Sequence, residues 1–546
     1  MNLRKFIILP AALAFLPAAI FAAGTAAGYS RDKKPVSELE ISVFSDPDAM
    51  FTNVLKARDF GAIPNDGKDD TQAIRKMFDA AEQNAKFVFE KGVYDVGMDG
   101  KGDYFKLAKK SDILLDGNGA KFRLHRVGRL FSLWEVKNAM LKNFSVETAN
   151  LPFTGGEVVA VAGDSLYMKA VAPHKIGSDL AARAIIRYDP KNKRYDANLF
   201  NVSLGENNTA EKVDEDTLRI KYKGPYPNVG DAIVLRHQIY AGGVCSVGDS
   251  KNILIKGIRI YDCAGMGAHF SSSENIALDG FKVKPRKGLW MSLTADATHF
   301  NSCRGSIEII NSEFEGMCDD ATNIHGMYWQ IENIKDKTLE MSYAKYRNQR
   351  ISISSAPKAG DTLELPCPEN YMRPTHFAKV ESVSVSPDKK RIIVKTCDEL
   401  PQWLAKDMAV SVKEYRPKVR IENCRVGYVR PRGFLIQTTG AVVKNCSFKD
   451  TVAMAILIEA DLNTWGESAA SDDILITDCV FENINSSKRN GEVAVFASAK
   501  FKKGLPFEGN IHGKIAVKNC LFKNCGKEPV RLEYTSNPII ENNIIE

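Results

Sequence analysis

Residues 251–263 read KNILIKGIRIYDC, and six later segments fall under them when written one above another. These are ENIALDGFKVK (274–284), GSIEIINSEFEG (305–316), KVRIENCRVG (418–427), AVVKNCSFKD (441–450), DILITDCVFEN (473–483) and KIAVKNCLFKN (514–524). Each is a short alternating strand, then Gly, Asn or Asp at a bend, then a second alternating strand. Alternation marks a strand with one buried face. Gly, Asn and Asp tolerate the left-handed backbone that a sharp bend requires. Gly257 to Gly280 is 23 residues and Asn423 to Asn445 is 22. A repeat of that length is one coil of a solenoid whose stacked coils bury a continuous core. A β-sandwich would lack the fixed bend column. The expectation is an all-β chain, a right-handed parallel β-helix. Cys424, Cys446, Cys479 and Cys520 follow the bend and should form an inward column of small apolar side chains.

Working outward, ARDFGAIPNDGKDDTQAIRKMFDAA (57–81) precedes the first coils, which start at FVFEKGVYDV (87–96). Asp69 and Gln72 offer a capping box, and Ile74, Met77, Phe78 and Ala81 make one apolar stripe, so a helix should close the open end of the core. Asp66, Asp69 and Asp70 are read as turn and cap residues rather than as calcium ligands. Two stretches carry turn signals but no coil signature, and they are expected to be small β-barrel or β-sandwich insertions. The division expected is a signal peptide (1–23, cleaved between 22 and 28), an N-terminal cap with the first coils (45–150) and an inserted domain (151–240). Coils with the candidate site (241–326), a second inserted domain (327–417) and C-terminal coils (418–546) follow.

The signal peptide rests on Arg4 and Lys5 before an apolar run from Phe6 to Ala23, with small residues to Gly28. Export to the periplasm, cell surface or medium follows, with no membrane span after cleavage. The formal net charge of +7 comes from 74 basic and 67 acidic residues without a basic block, so nucleic acid is not an expected partner. The eleven Cys include no CxxC and form an odd number, which argues against a zinc ribbon or a complete disulfide frame.

The chemistry sits where consecutive coils read ADATHFNSC (295–303) and CDDATNIHG (318–326), followed after the second insertion by RGFLIQT (432–438) and MAILIEA (454–460). Asp296 and Asp320 correspond, 24 residues apart, with Arg432 and Met454 in the same column. A second column collects Asn301, His325, Gln437 and Glu459. Stacking should bring Asp296 and Asp320 to roughly 5–7 Å, with Asp319 beside them. Carboxyls this close cannot all ionise cheaply, so one should hold a proton beside others able to accept one. Glycosidic bond hydrolysis needs that combination. Turn capping is the competing reading of such Asp-rich bends. His325, Asn323, His299, Arg432, Glu459, Trp465 and His237 are the candidate substrate-binding residues. Trp465, in the loop EADLNTWGE (459–467), could stack on a sugar face.

On TADATHFNSCRG (294–305), GMCDDATNIHG (316–326) and the layout of a β-helix with two inserted barrels, the sequence resembles glycoside hydrolase family 110, bacterial α-1,3-galactosidases within the pectate-lyase-like β-helix superfamily. The resemblance covers nearly all of the mature chain. It implies inverting removal of terminal α-1,3-linked galactose, including that of the blood-group B antigen, with no metal and no cofactor. The family's aspartate triad falls on Asp296, Asp319 and Asp320. Together with the analogy to β-helix polygalacturonases, it implies Asp319 as general acid and Asp296 with Asp320 as the base. Galactose-terminated oligosaccharides and glycoproteins are the implied partners, and a homodimer stays open. An inverting pair should stand about 6.5–9.5 Å apart, and about 5 Å would point to retention. The alternatives are a polygalacturonase-like hydrolase, whose NTDG…DD…GHG…RIK pattern is only partly matched here, a pectate lyase, and a non-catalytic carbohydrate-binding β-helix.

Overall fold

The computed structural model describes residues 51–546 apart from 99–102, 197–201, 346–347, 352, 489–490, 503 and 506. The expected signal peptide lies outside the described residues. The chain forms the expected parallel β-helix with two inserted β units. Both arms of each bend join one 21-stranded parallel sheet, and the third side of the coils forms an 11-stranded sheet.

The one-dimensional repeat becomes a three-dimensional column through register. Lys251 pairs with Glu274 and Val419 with Ala441, one coil apart in sequence. Every bend residue of the repeat takes the left-handed conformation, for example Gly257 at φ 62° and Asn423 at φ 56°. Stacked bends then hydrogen-bond through their side chains: the Asn445 amide donates to Asn423 at 2.7 Å. Cys424, Cys446, Cys479 and Cys520, which each follow a bend, are all buried. Inside, identical side chains stack on identical ones. Phe448, Phe481 and Phe522 lie 5.0 and 4.8 Å apart with nearly parallel rings, about one strand spacing.

A helix at Thr71–Asp79 caps the N-terminal end, burying Ile74, Met77, Phe78 and the following Ala81. Phe78 stacks on Phe87 of the first coil at 4.5 Å. The capping box is not what starts it. The N-cap is Asp70, without a side-chain cap bond, and the Asp69 carboxylate instead accepts from the Thr71 N–H two residues on. Asp66 likewise accepts from the Lys68 N–H. Such local turns use the short Asp side chain before a helix can.

The first insertion is an antiparallel sheet running from Phe153–Ala162 to Ala232–Arg236, with an isolated antiparallel bridge between Ala181 and Thr209. The second, from Trp329–Lys335 to Ala409–Val412, is a closed six-stranded barrel with its own apolar core. Neither disturbs the coils. Gly243 pairs with Arg129 across the first insertion, and Ser306 with Lys418 across the second. The insertions are anchored to the coils: Trp290 stacks on Tyr188 at 4.9 Å, and Arg304 makes a bidentate ion pair with Asp361 at 2.6 Å. Among the described residues no helix is long and apolar enough to cross a membrane.

Candidate active site

The candidate residues come from the 11-stranded sheet and the turns that enter it. Thr298–Asn301 pairs with Thr322–Met327 with Thr298 opposite Thr322, and Thr322 lies opposite Phe434. Projected two residues back, that register sets Asp296, Asp320 and Arg432 in one column. His299 faces Asn323, and Asn301 faces His325.

Asp296, Asp319 and Asp320 each offer an oxygen within 4.8 Å of the others. That is closer than the separation expected of an inverting pair. Asp296 and Asp320 are 3% and 1% exposed, whereas Asp319 is partly open. The cluster therefore reaches solvent through Asp319. Each carboxylate has a distinct partner. Arg432 donates Nε and Nη2 to the two oxygens of Asp320, both at 2.8 Å. Asp296 accepts from the Asp320 backbone N–H and contacts His299 Nδ1 at 2.6 Å. Tyr240 donates its hydroxyl to Asp319.

These partners decide the charges. Burial, then the neighbouring Asp319, pushes the Asp296 carboxyl well above the usual range, and Arg432 offsets this only in part. Burial also drives Asp320 upward and Arg432 pulls it back. With both oxygens accepting from a guanidinium, the bidentate bond favours the charged form of Asp320 against its burial. Tyr240 exposes 53% of its surface, yet its hydroxyl end is sunk among the acids. That burial and the field of Asp296 and Asp319 raise its pKa. It remains a neutral donor.

Hydrogen-bond logic locates the proton of Asp296. His325 Nδ1 lies 2.7 Å from the Gly326 carbonyl, which can only accept, so that nitrogen carries hydrogen. In neutral His325, Nε2 must then accept, and its partner at 2.9 Å, His299 Nε2, donates. With His325 in that form, His299 Nδ1 is the acceptor and Asp296 faces it as the protonated acid, the form that burial of Asp296 also favours. Burial, aided by His325, lowers the His299 pKa to about 3, which agrees with a neutral ring. Asp296 thus rests as a carboxylic acid beside the charged Asp320–Arg432 pair.

Two open cavities flank the cluster. One of about 500 Å³ is lined by Tyr240, Arg129, Gly242 and His269. The other, about 370 Å³, is lined by His299, His325, Trp465, Glu467 and Arg350. A cation between the aspartates would compete with Arg432 for Asp320 and with Tyr240 for Asp319.

The structure brings His299, His325 and Arg432 to the carboxylates. Asn323 is buried beside them with its carbonyl oxygen unpaired, and Trp465, 49% exposed, stands on the second cavity's wall. Glu459 is held instead by Lys500 at 2.6 Å and Ser498 at 2.9 Å. His237 lies in the first insertion, bonded to Thr154 and the Ala181 carbonyl, with no contact to the aspartates among the described residues. Tyr240 and Glu467 escaped the sequence reading. Tyr240 ends the return leg of an insertion, outside any repeat. Glu467 closes the same loop as Trp465 and pairs antiparallel with Met327. Its only signal was an acid next to an aromatic loop.

No known family profile matches the chain. It is 26% identical over 498 residues to alpha-1,3-galactosidase A of Shewanella woodyi, covering 83% of this chain and 80% of that one. It is 24% identical over 470 residues to alpha-1,3-galactosidase B of Bacteroides thetaiotaomicron, covering 78% and 75%. Among solved structures it resembles an endo-xylogalacturonan hydrolase from Aspergillus tubingensis, with TM-score 0.44, 9% identity and coverage of 90% and 92%. An exopolygalacturonase from Thermotoga maritima gives TM-score 0.40 at 12% identity, covering 91% and 92%.

Proposed function

We propose that this chain is an exo-acting α-1,3-galactosidase that hydrolyses terminal α-1,3-linked galactose from oligosaccharides and glycoproteins outside the cytoplasm. The observation that carries it is the meeting of three carboxylates in three different states around one point: a neutral acid, an acid paired with arginine, and a partly open acid held by a tyrosine. Hydrolysis of a glycosidic bond needs a proton for the leaving oxygen and a base for water. The names of the relatives supply the substrate class.

Asp319, the most open of the three, is assigned as general acid towards the leaving oxygen. Asp296 and Asp320 hold the attacking water, with Asp296 accepting its proton. Inversion is the stereochemical reading. The close spacing of the carboxylates favours retention by the two-carboxylate rule, but a nucleophile needs a charged oxygen that no cation holds. Arg432 holds both oxygens of Asp320 in a bidentate ion pair, which lowers its nucleophilicity, and burial favours the protonated, non-nucleophilic form of Asp296. Direct attack by water fits those states better.

Free galactose released from an α-1,3-linked galactose disaccharide is the expected product, and proton NMR during the first minutes should show β-galactose. Initial α-galactose would reject inversion, and activity on polygalacturonate alone would reject the substrate class. Asp319→Asn and Asp296→Asn should each lower kcat about 10²- to 10⁴-fold with KM little changed. Near-normal turnover in either variant would remove that residue's role.

A further inference from the structure

We propose that His299, His325 and Glu467 form a proton relay that drains Asp296 into the cavity lined by Trp465. The inference rests on the role of Asp296 as the base under the proposed function. A carboxylic acid at rest cannot act as a base unless it gives up its own proton elsewhere. Besides the opening at Asp319, a chain of contacts leads away from Asp296: Oδ2 to His299 Nδ1 at 2.6 Å, and His299 Nε2 to His325 Nε2 at 2.9 Å. His325 Nε2 then stands 3.7 Å from the Glu467 carboxylate. The outlet opens because His299, His325 and Glu467 all line the open cavity of about 370 Å³.

The step balances as follows. The attacking water loses one proton to the Asp296 oxygen that does not face His299, where a lone pair remains even beside a bond from the Asp320 N–H, as the water's own oxygen bonds to the anomeric carbon. The proton on Oδ2 moves to His299 Nδ1, and the proton on His299 Nε2 moves to His325 Nε2. His325, which keeps its Nδ1–H on the Gly326 carbonyl, becomes a cation facing Glu467. Asp296 is again a neutral acid, now protonated on its other oxygen. The leaving oxygen takes its proton from Asp319, and that proton is restored from solvent. No oxidant, reductant or third reactant is needed.

Several groups bear on the relay. Asp319, Asp320 and Arg432 surround Asp296, and Tyr240 reaches them through Asp319. His269 on the preceding coil lies 5.6 Å from His299, and Arg350 lines the cavity. Gln437 donates to the second oxygen of Glu467 at 3.0 Å, which holds that carboxylate towards His325.

His299, His325 and Glu467 are positioning residues, so the test reads more than activity. Glu467→Gln weakens His325 as a proton acceptor. It should lower kcat roughly tenfold with KM unchanged, and move the acidic limb of the kcat–pH profile to lower pH. His299→Ala should be slower still and recover on added imidazole, which the open cavity admits. A Glu467→Gln enzyme with wild-type kcat and profile overturns the relay while an inactive Asp296→Asn leaves the base assignment standing. A fall in kcat with no shift of the limb and no imidazole rescue marks a structural role and also overturns the relay. A fully active Asp296→Asn removes the proposed base, and the relay with it.

Discussion

At the scale of single residues, the site shows how one side chain's environment sets another's charge. Asp296 and Asp320 occupy equivalent places on adjacent coils and are almost equally buried, yet one rests protonated and the other charged. The difference is the partner: a neutral imidazole for Asp296 and a bidentate guanidinium for Asp320. Breaking a buried ion pair from one side strands the other charge. Arg432→Ala should therefore cost about 3–5 kcal/mol in urea unfolding. Adding Asp320→Asn in the same chain should recover part of that loss. Equal stabilities for the single and double variants would show that the pair holds no stranded charge.

At the scale of elements, the N-terminal cap carries a pH dependence of its own. Asp70 starts the helix at Thr71–Asp79 and accepts from the Ile63 N–H at 3.0 Å, while its other oxygen lacks a hydrogen-bond partner. Burial pushes its carboxyl up to about 7. Between about pH 4 and 7 the unfolded chain has released this proton and the folded chain has kept it. Stability must then fall as pH rises through that window and stay lower above it. Asp70→Asn keeps the accepting oxygen and removes the charge, so its Tm should exceed the wild type's at pH 8 and match it at pH 3. A constant difference at both pH values would place the effect elsewhere.

The same elements explain what the sequence could reveal. Coils were legible because alternation and bend residues recur along one dimension, and stacking turns that spacing directly into a register. The column of Asp296, Asp320 and Arg432 followed from counting, since Thr298 pairs with Thr322 and Thr322 with Phe434. Tyr240 and Glu467 did not follow, because each arrives from a segment outside the repeat whose path depends on tertiary packing. His237 does not join the site, because Thr154 and the Ala181 carbonyl of the first insertion take both its nitrogens. The proton order of Asp296, His299 and His325 depends on ring orientation, which no spacing encodes.

At the scale of the whole molecule, the second barrel is tied down by charge as well as by packing. Arg304 holds Asp361 with two bonds at 2.6 Å and lies over the Tyr415 ring at 4.8 Å. Arg304→Ala should speed proteolysis and amide exchange within Trp329–Val412 and leave the inner coil strands protected. Uniform loosening of coils and barrel would mean that the two unfold as one unit. The paired strands on either side of each insertion have a longer consequence. The chain leaves the column at one rung and rejoins it at the next as though nothing had intervened. Selection can thus lengthen, trim or replace either side branch without moving a rung, so the outer surfaces of the branches can diverge quickly while the acids on the rungs stay in line.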